Sequence, residues 1–233
     1  TKNAIRRRLS TLLYDEDFIN MMSGDNKLIN FEKEFNTPGK IIIIDIAKGN
    51  MDSYIYYIRF IVEYISVLAL KRVDTLKEER VVTHLILDEF DNFISAKGNI
   101  KTILKEAGKY NLLLTIAHQI ISDIKDSALR DTILSMTGAK VIFNNSNTTL
   151  DALNKTLNTK LNDVENLDKG EFYLSVGNND IIKVKNTDRF LDSSEEISNK
   201  QWEEHKHYQL EKYYRLINPK TTTQPTDDEL KTM

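Results

Sequence analysis

The stretch THLILDEFDNF, residues 83–93, carries an apolar run into two adjacent carboxylates, Asp88 and Glu89. A second apolar run, LLLTIA (112–117), ends on His118 and Gln119. These residue types suit hydrolysis of a metal-bound phosphate. A carboxylate at the end of a rigid strand can hold the hydration shell of Mg²⁺, which prefers hard oxygen ligands and keeps several waters. A second carboxylate beside it can orient and polarise an attacking water. An amide one strand away can hydrogen-bond the γ-phosphate or that water without adding negative charge. Asp88, Glu89 and Gln119 fit these three positions. The plainer reading is that Asp88 or Asp91 caps a helix, and that His118 and Gln119 are ordinary strand-end polar groups. Taken together, the two runs and their spacing favour the catalytic reading.

Positioning such groups takes strands that alternate with helices. TPGK (37–40) reads as a turn, and IIIIDIA (41–47), β-branched and bounded by Gly39 and Gly49, as a strand buried on both faces. A helix over about 51–72 places Ile58, Ile61, Val62, Ile65 and Leu68 on one side. After the strand 83–88, the pattern predicts a helix at about 98–109, the strand 112–117, a helix at about 123–136 and the strand 139–144. A short helix carrying Leu150, Leu153 and Leu157 follows, and EFYLSV and IIKVK flank a hairpin turn at 177–180. The fold class is therefore α/β: a mainly parallel sheet with helices on both faces, plus a small β-hairpin and a carboxyl-terminal helix. In open parallel sheets ligands bind beyond the carboxyl ends of the strands. Asp45, Asp88, Glu89, His118, Gln119, Asn144 and Asn145 all fall at such ends.

The chain divides into a helical lead-in (1–40), a core (41–190), a carboxyl-terminal helix (191–216) and a tail (217–233) with the composition of disorder. With 40% hydrophobic and 29% charged residues, it has the balance of a globular protein that needs no staple. The net charge of −3 gives no general attraction to nucleic acid, so any such contact must be local. The absence of cysteine excludes disulfides and thiolate metal sites. The longest apolar candidate for a membrane span, 54–70, is interrupted by Arg59 and Glu63. The chain starts at Thr1 rather than Met and reads as a piece of something longer.

In order, the segments are GKIIIIDIAKG, a long helix ending LALKR, THLILDEFDNF, ILKEAGKYNLLLTIAHQ, GAKVIFN and LDKGEFYLSV. This series, over about residues 5–215, resembles the carboxyl-terminal portion of HerA/FtsK-type DNA-pumping ATPases. The branch it most resembles is the TraG/TraD-like coupling ATPases of conjugative, type IV secretion DNA transfer. The resemblance implies a RecA-like core that works as a ring, usually a hexamer, and threads DNA through its centre using ATP and Mg²⁺. Asp88 and Glu89 match the family's Walker B acids, and Gln119 matches its glutamine sensor. The cofactor-side candidates are Asp88, Asp45 from its place at a strand end, and the cations Lys109 and Arg130. The implied partners are DNA, further copies of the chain, a relaxase and secretion-channel proteins. The implied location is cytoplasmic, at the inner face of the membrane only through a region absent from this chain.

Two departures stand against the family pattern. None of the eight glycines belongs to a G-x-x-x-x-G-K-[ST] loop, so the phosphate cradle is missing, and with it the central strand that leads into it. The expected sheet therefore has an unfilled slot. Gly108, Lys109 and Tyr110 stand where the family commonly has Arg-Lys-Tyr, which removes a candidate arginine finger. Arg72 and Arg130 are the substitutes. Two rival readings follow: a degenerate, non-hydrolysing scaffold, or a motor for DNA-end processing, packaging or extrusion. Elsewhere, Arg6 to Arg8 read as a solvated helix face. His205 and His207, two apart on a helix, point to different sides. Trp202, Tyr208, Tyr213 and Tyr214 dock the last helix either on the body or on a neighbour.

Overall fold

A computed structural model describes residues 10, 14, 29–45, 51–90, 100–145, 147–157, 161, 164–177, 181–186 and 196–213. Of the expected helical lead-in, residues 1–28 with Arg6 to Arg8 lie outside these residues but for Ser10 and Tyr14, and so does the 217–233 tail. The chain forms two compact units, Phe31–Ser194 and a second made of Thr1–Asn30 with Glu195–Met233.

In the larger unit the order is α1 (Phe31–Phe35), α2 (Met51–Leu70), β1 (Thr83–Leu87), α3 (Ile100–Glu106), β2 (Leu112–Ile116) and α4 (Ser127–Met136). Then follow β3 (Ala139–Ile142), α5 (Asn147–Leu157), β4 (Glu171–Val176) and β5 (Ile182–Lys185). The class is mixed α/β. Strands β1 and β2 pair in parallel, with Thr83 opposite Leu112 and Leu87 opposite Ile116. Their inward side chains, Leu85, Leu87, Leu112, Leu114 and Ile116, pack on Leu68 and Ala69 of α2, Ile103 of α3, and Leu129 and Ile133 of α4. Each fully buried leucine of this kind stabilises by roughly 1.5–3 kcal/mol. The opposite face of the ladder shows Ile86 at 65% and Leu113 at 49% exposure.

Two expectations about strands meet a different outcome. Residues 41–45 join no ladder, and Ile41 to Ile44 are 87%, 40%, 83% and 41% exposed instead of buried on both faces. The period-two alternation of a pleat survives, but β-branching supplies only a preference, which cross-strand neighbours must convert into a strand. Residues 46 and 47 lie outside the described set. Strand β3, assigned by alternation to the parallel ladder, pairs instead antiparallel with β4 (Ala139 opposite Val176), and β4 pairs with β5 (Glu171 opposite Lys185). The expected hairpin is present, its turn entered at Gly177 with φ +59°, a conformation glycine adopts without strain. Beneath this sheet a second core gathers Leu134, Ile142, Leu150, Leu153, Leu161, Val164 and Leu167. Among the described residues, the parallel and antiparallel ladders share no strand pairing.

The start of the β1–β2 ladder is tied by one buried cation. Arg72 follows α2 in a 3₁₀ turn (Lys71–Asp74) and is 4% exposed. Its guanidinium donates to Asn36 Oδ1 (3.1 Å), Tyr110 O (3.0 Å), Phe35 O (3.0 Å) and Thr83 Oγ1 (2.8 Å), and it lies 4.0 Å from the Phe35 ring centroid. Burial first, and then the nearby Arg80 charge, lower its pKa from the usual arginine range. A planar fork with this many fixed acceptors is structural, and burial keeps it from reaching a neighbouring molecule.

In the smaller unit, α6 (Asn199–Tyr213) is laced by side-chain pairs one turn apart: Lys200–Glu204, Glu203–Lys206 and His207–Glu211. His205 faces Gln209 at 3.3 Å, so the two histidines take separate partners. Trp202 and Tyr208 are half exposed.

Candidate functional site

The parallel register of β1 and β2 puts the carboxyl ends of both strands on one rim, so the residues after Leu87 and after Ile116 become neighbours. The turn after β1 is anchored by Phe90, whose side chain is 1% exposed and whose ring lies edge-on to His118 at 5.1 Å. Phe90 N–H donates to Ala117 O (3.3 Å), and Ala117 N–H donates to Leu87 O (2.9 Å), which carries the strand pairing past the ladder's end. With Leu87 and Phe90 both buried, Asp88 and Glu89 are left exposed between them.

Reaching that geometry forces Glu89 to φ +47°, one of two non-glycine residues with positive φ among the described residues, the other being Asn111. A glutamate in the left-handed region carries roughly 1–2 kcal/mol of backbone strain. Asp88 Oδ1 accepts the Glu89 N–H at 3.0 Å, so it orders the acidic turn itself. Asp91, the other expected cap, is outside the described residues.

The acid pair and the glutamine meet. Gln119 Nε2 donates to Glu89 Oε1 at 3.3 Å, across the gap between the two strand ends. The end of β3 joins the same place, since Asn145 Nδ2 donates to Gln119 O at 2.9 Å. Asn144 turns the other way and donates to Glu165 O at 2.9 Å.

The remaining candidates are placed elsewhere. Asp45 ends the exposed 41–45 segment, outside the β1–β2 ladder. Lys109 precedes β2, one strand length (roughly 16 Å) from the Gln119 end. Its Nζ is 2.6 Å from Glu106 Oε2, and that hydrogen bond holds its ammonium above the ordinary lysine range. Arg130 is half-buried on α4. That helix starts at an Asp126 cap accepting Leu129 N–H at 3.0 Å.

Sequence reading set Asn145 among the strand-end polar residues but gave it no partner or role, and it gave Phe90 no place at the site. An aromatic directly after the acid pair is a readable sign of an anchor. The partner of Asn145 depends on where β3 ends in space, and no local pattern reports that.

Chemically, the rim offers two adjacent exposed carboxylates and an amide donor. That donor set suits Mg²⁺, which one or two carboxylates hold while the substrate's phosphates and water fill the other positions. No group of three or more metal-type side chains lies together among the described residues. No helix among them is long and apolar enough to cross a membrane.

No protein-family model and no curated protein sequence matches the chain. Among solved structures it is similar to VirB4 of Thermoanaerobacter pseudethanolicus, at 15% identity and TM-score 0.47, over 66% of this chain and 40% of that one. It is similar to the bacterial conjugative coupling protein TrwBdeltaN70, at 17% identity and TM-score 0.46, over 58% of this chain and 38% of that one. The plasmid coupling protein TrwB in complex with the non-hydrolysable GTP analogue GDPNP aligns at 16% identity and TM-score 0.44, over 57% of this chain and 38% of that one. The chain thus spans about two fifths of the length of each structure it is similar to.

Proposed function

We propose that this chain supplies the hydrolysis-side residues of an ATP-driven motor that moves DNA, and that its task is conjugative transfer. The observation that carries the reading is the Glu89–Gln119 hydrogen bond at a rim shared with Asp88. Two strands deliver an acid pair and an amide to one point, and the sequence motifs around them resemble the coupling ATPases. In this reading Glu89 Oε1 takes the proton of the attacking water. Gln119 Nε2–H, which now faces Glu89, is the donor that the water or a γ-phosphate oxygen would receive. Asp88 orders the turn through Glu89 N–H and holds the hydration shell of Mg²⁺. The bound ion would neutralise charge on the phosphates. The phosphate-cradling loop, which the sequence lacks, comes from another segment. Further copies in a ring and a DNA strand complete the proposal, with Lys109 and Arg130 as the cations offered to a neighbour's nucleotide. A relaxase and channel proteins are the partners this task requires.

The test is ATP hydrolysis by the complete protein that contains this chain. Glu89→Gln should lower kcat at least about 100-fold, the usual share of a general base. A second reading, a non-hydrolysing scaffold, is favoured by the pairing of Lys109 with Glu106 and by Gly108 in the usual arginine position. Equal background rates for wild type and Glu89→Gln would select it.

A further inference from the structure

We propose that Asn145 is a positioning residue that ties the Glu89–Gln119 pair to the antiparallel sheet. Gln119 lies beyond Ile116, the last ladder residue of β2, so strand pairing does not orient its peptide. The Asn145 amide does so, through its 2.9 Å bond to Gln119 O. Asn145 is itself held, because the adjacent Asn144 bonds Glu165 O in the 3₁₀ turn Val164–Asn166, whose Val164 is 1% exposed. A continuous path therefore runs from the second core through Asn144 and Asn145 to Gln119, and from the Gln119 side chain to Glu89. It crosses between two ladders that share no strand pairing among the described residues. Any displacement of β3, β4 and β5 changes the direction in which Gln119 presents its amide. The amide is specific for this work: an aspartate of the same size would set an oxygen against the Gln119 carbonyl.

The inference rests on the hydrolytic reading, so two measurements separate them. In the 233-residue chain, Asn145→Asp should move the Gln119 side-chain amide resonances while the circular dichroism spectrum stays native. In the complete ATPase, Asn145→Asp should lower kcat about tenfold, the scale of one lost hydrogen bond at a site of this kind. KM for ATP should stay within about twofold, and Asn145→Gln, which keeps the donor, should recover part of the rate. Unmoved Gln119 resonances, or an unchanged kcat in Asn145→Asp beside an inactive Glu89→Gln, would overturn the role of Asn145 and leave the hydrolytic reading intact. A Glu89→Gln protein as active as wild type would defeat the hydrolytic reading. The resonance shift would then decide by itself whether Asn145 sets Gln119.

Discussion

Glu89 combines two demands at one residue. Its carboxylate must face Gln119, and its backbone must turn at φ +47° to leave the strand while Phe90 re-enters the core. Glycine meets the second demand and not the first. Glu89→Gly should therefore be more stable than Glu89→Ala by about 1 kcal/mol in urea denaturation, and both should be inactive. Equal stability of the two would mean that the turn relaxes once the glutamate is gone. Arg72 shows the opposite case, a side chain kept for its contacts and not for chemistry. Arg72→Lys offers one ammonium where a planar fork served Asn36, Tyr110, Phe35 and Thr83. Loss of these bonds should cost about 2–4 kcal/mol by denaturant titration, because buried acceptors are left unpaired.

Among the elements, the β4–β5 hairpin carries a charge pair that can be read by pH. Glu171 accepts from Lys183 Nζ at 2.8 Å, and secondly from Asp168 N–H, and these bonds hold its carboxyl below the usual glutamate range. A depressed folded pKa gives stabilisation that is present above the free value of about 4.3 and is lost as pH falls through the lowered folded value. Amide protection factors of β4 and β5 should fall on acidification through that window, and Glu171→Gln should flatten the dependence. The lone isoleucine segment behaves differently. Ile41 to Ile44 alternate in exposure but have no ladder, so they form an uncovered, β-prone stretch. Ile43→Lys should reduce self-association of the chain in light scattering, since charge on an unpaired strand opposes edge pairing.

At the scale of the whole chain, Asp88, Glu89 and the Gln119 amide are assembled without a phosphate loop in the sequence. The sequence has no glycine-rich cradle, and backbone amides around phosphates supply most of the grip in such sites. The 233-residue chain should therefore show no saturable binding of Mg·ATP below about 1 mM in calorimetry, even with Glu89 and Gln119 in contact. Micromolar binding would mean that another segment of this chain grips the phosphates.

What was legible in advance is what local physics controls. Apolar runs at strand length, closed by polar ends or, in the hairpin, by Gly177, located β1, β2 and the hairpin. The carboxyl ends of β1 and β2 then made Asp88, Glu89 and Gln119 neighbours, because parallel strands in one sheet must present their ends on one rim. Pairing between distant segments is not written locally. An apolar, β-branched run such as 41–45 has the same local preference whether or not a neighbour arrives to bond its edges, and here none of the described strands does. For the same reason only the tertiary structure could move β3 to the antiparallel sheet, bury Arg72 among four acceptors, and bring Asn145 to the Gln119 carbonyl. Each of those outcomes depends on which backbone groups remain unbonded after the strands have paired, and that is settled only when the whole chain has packed.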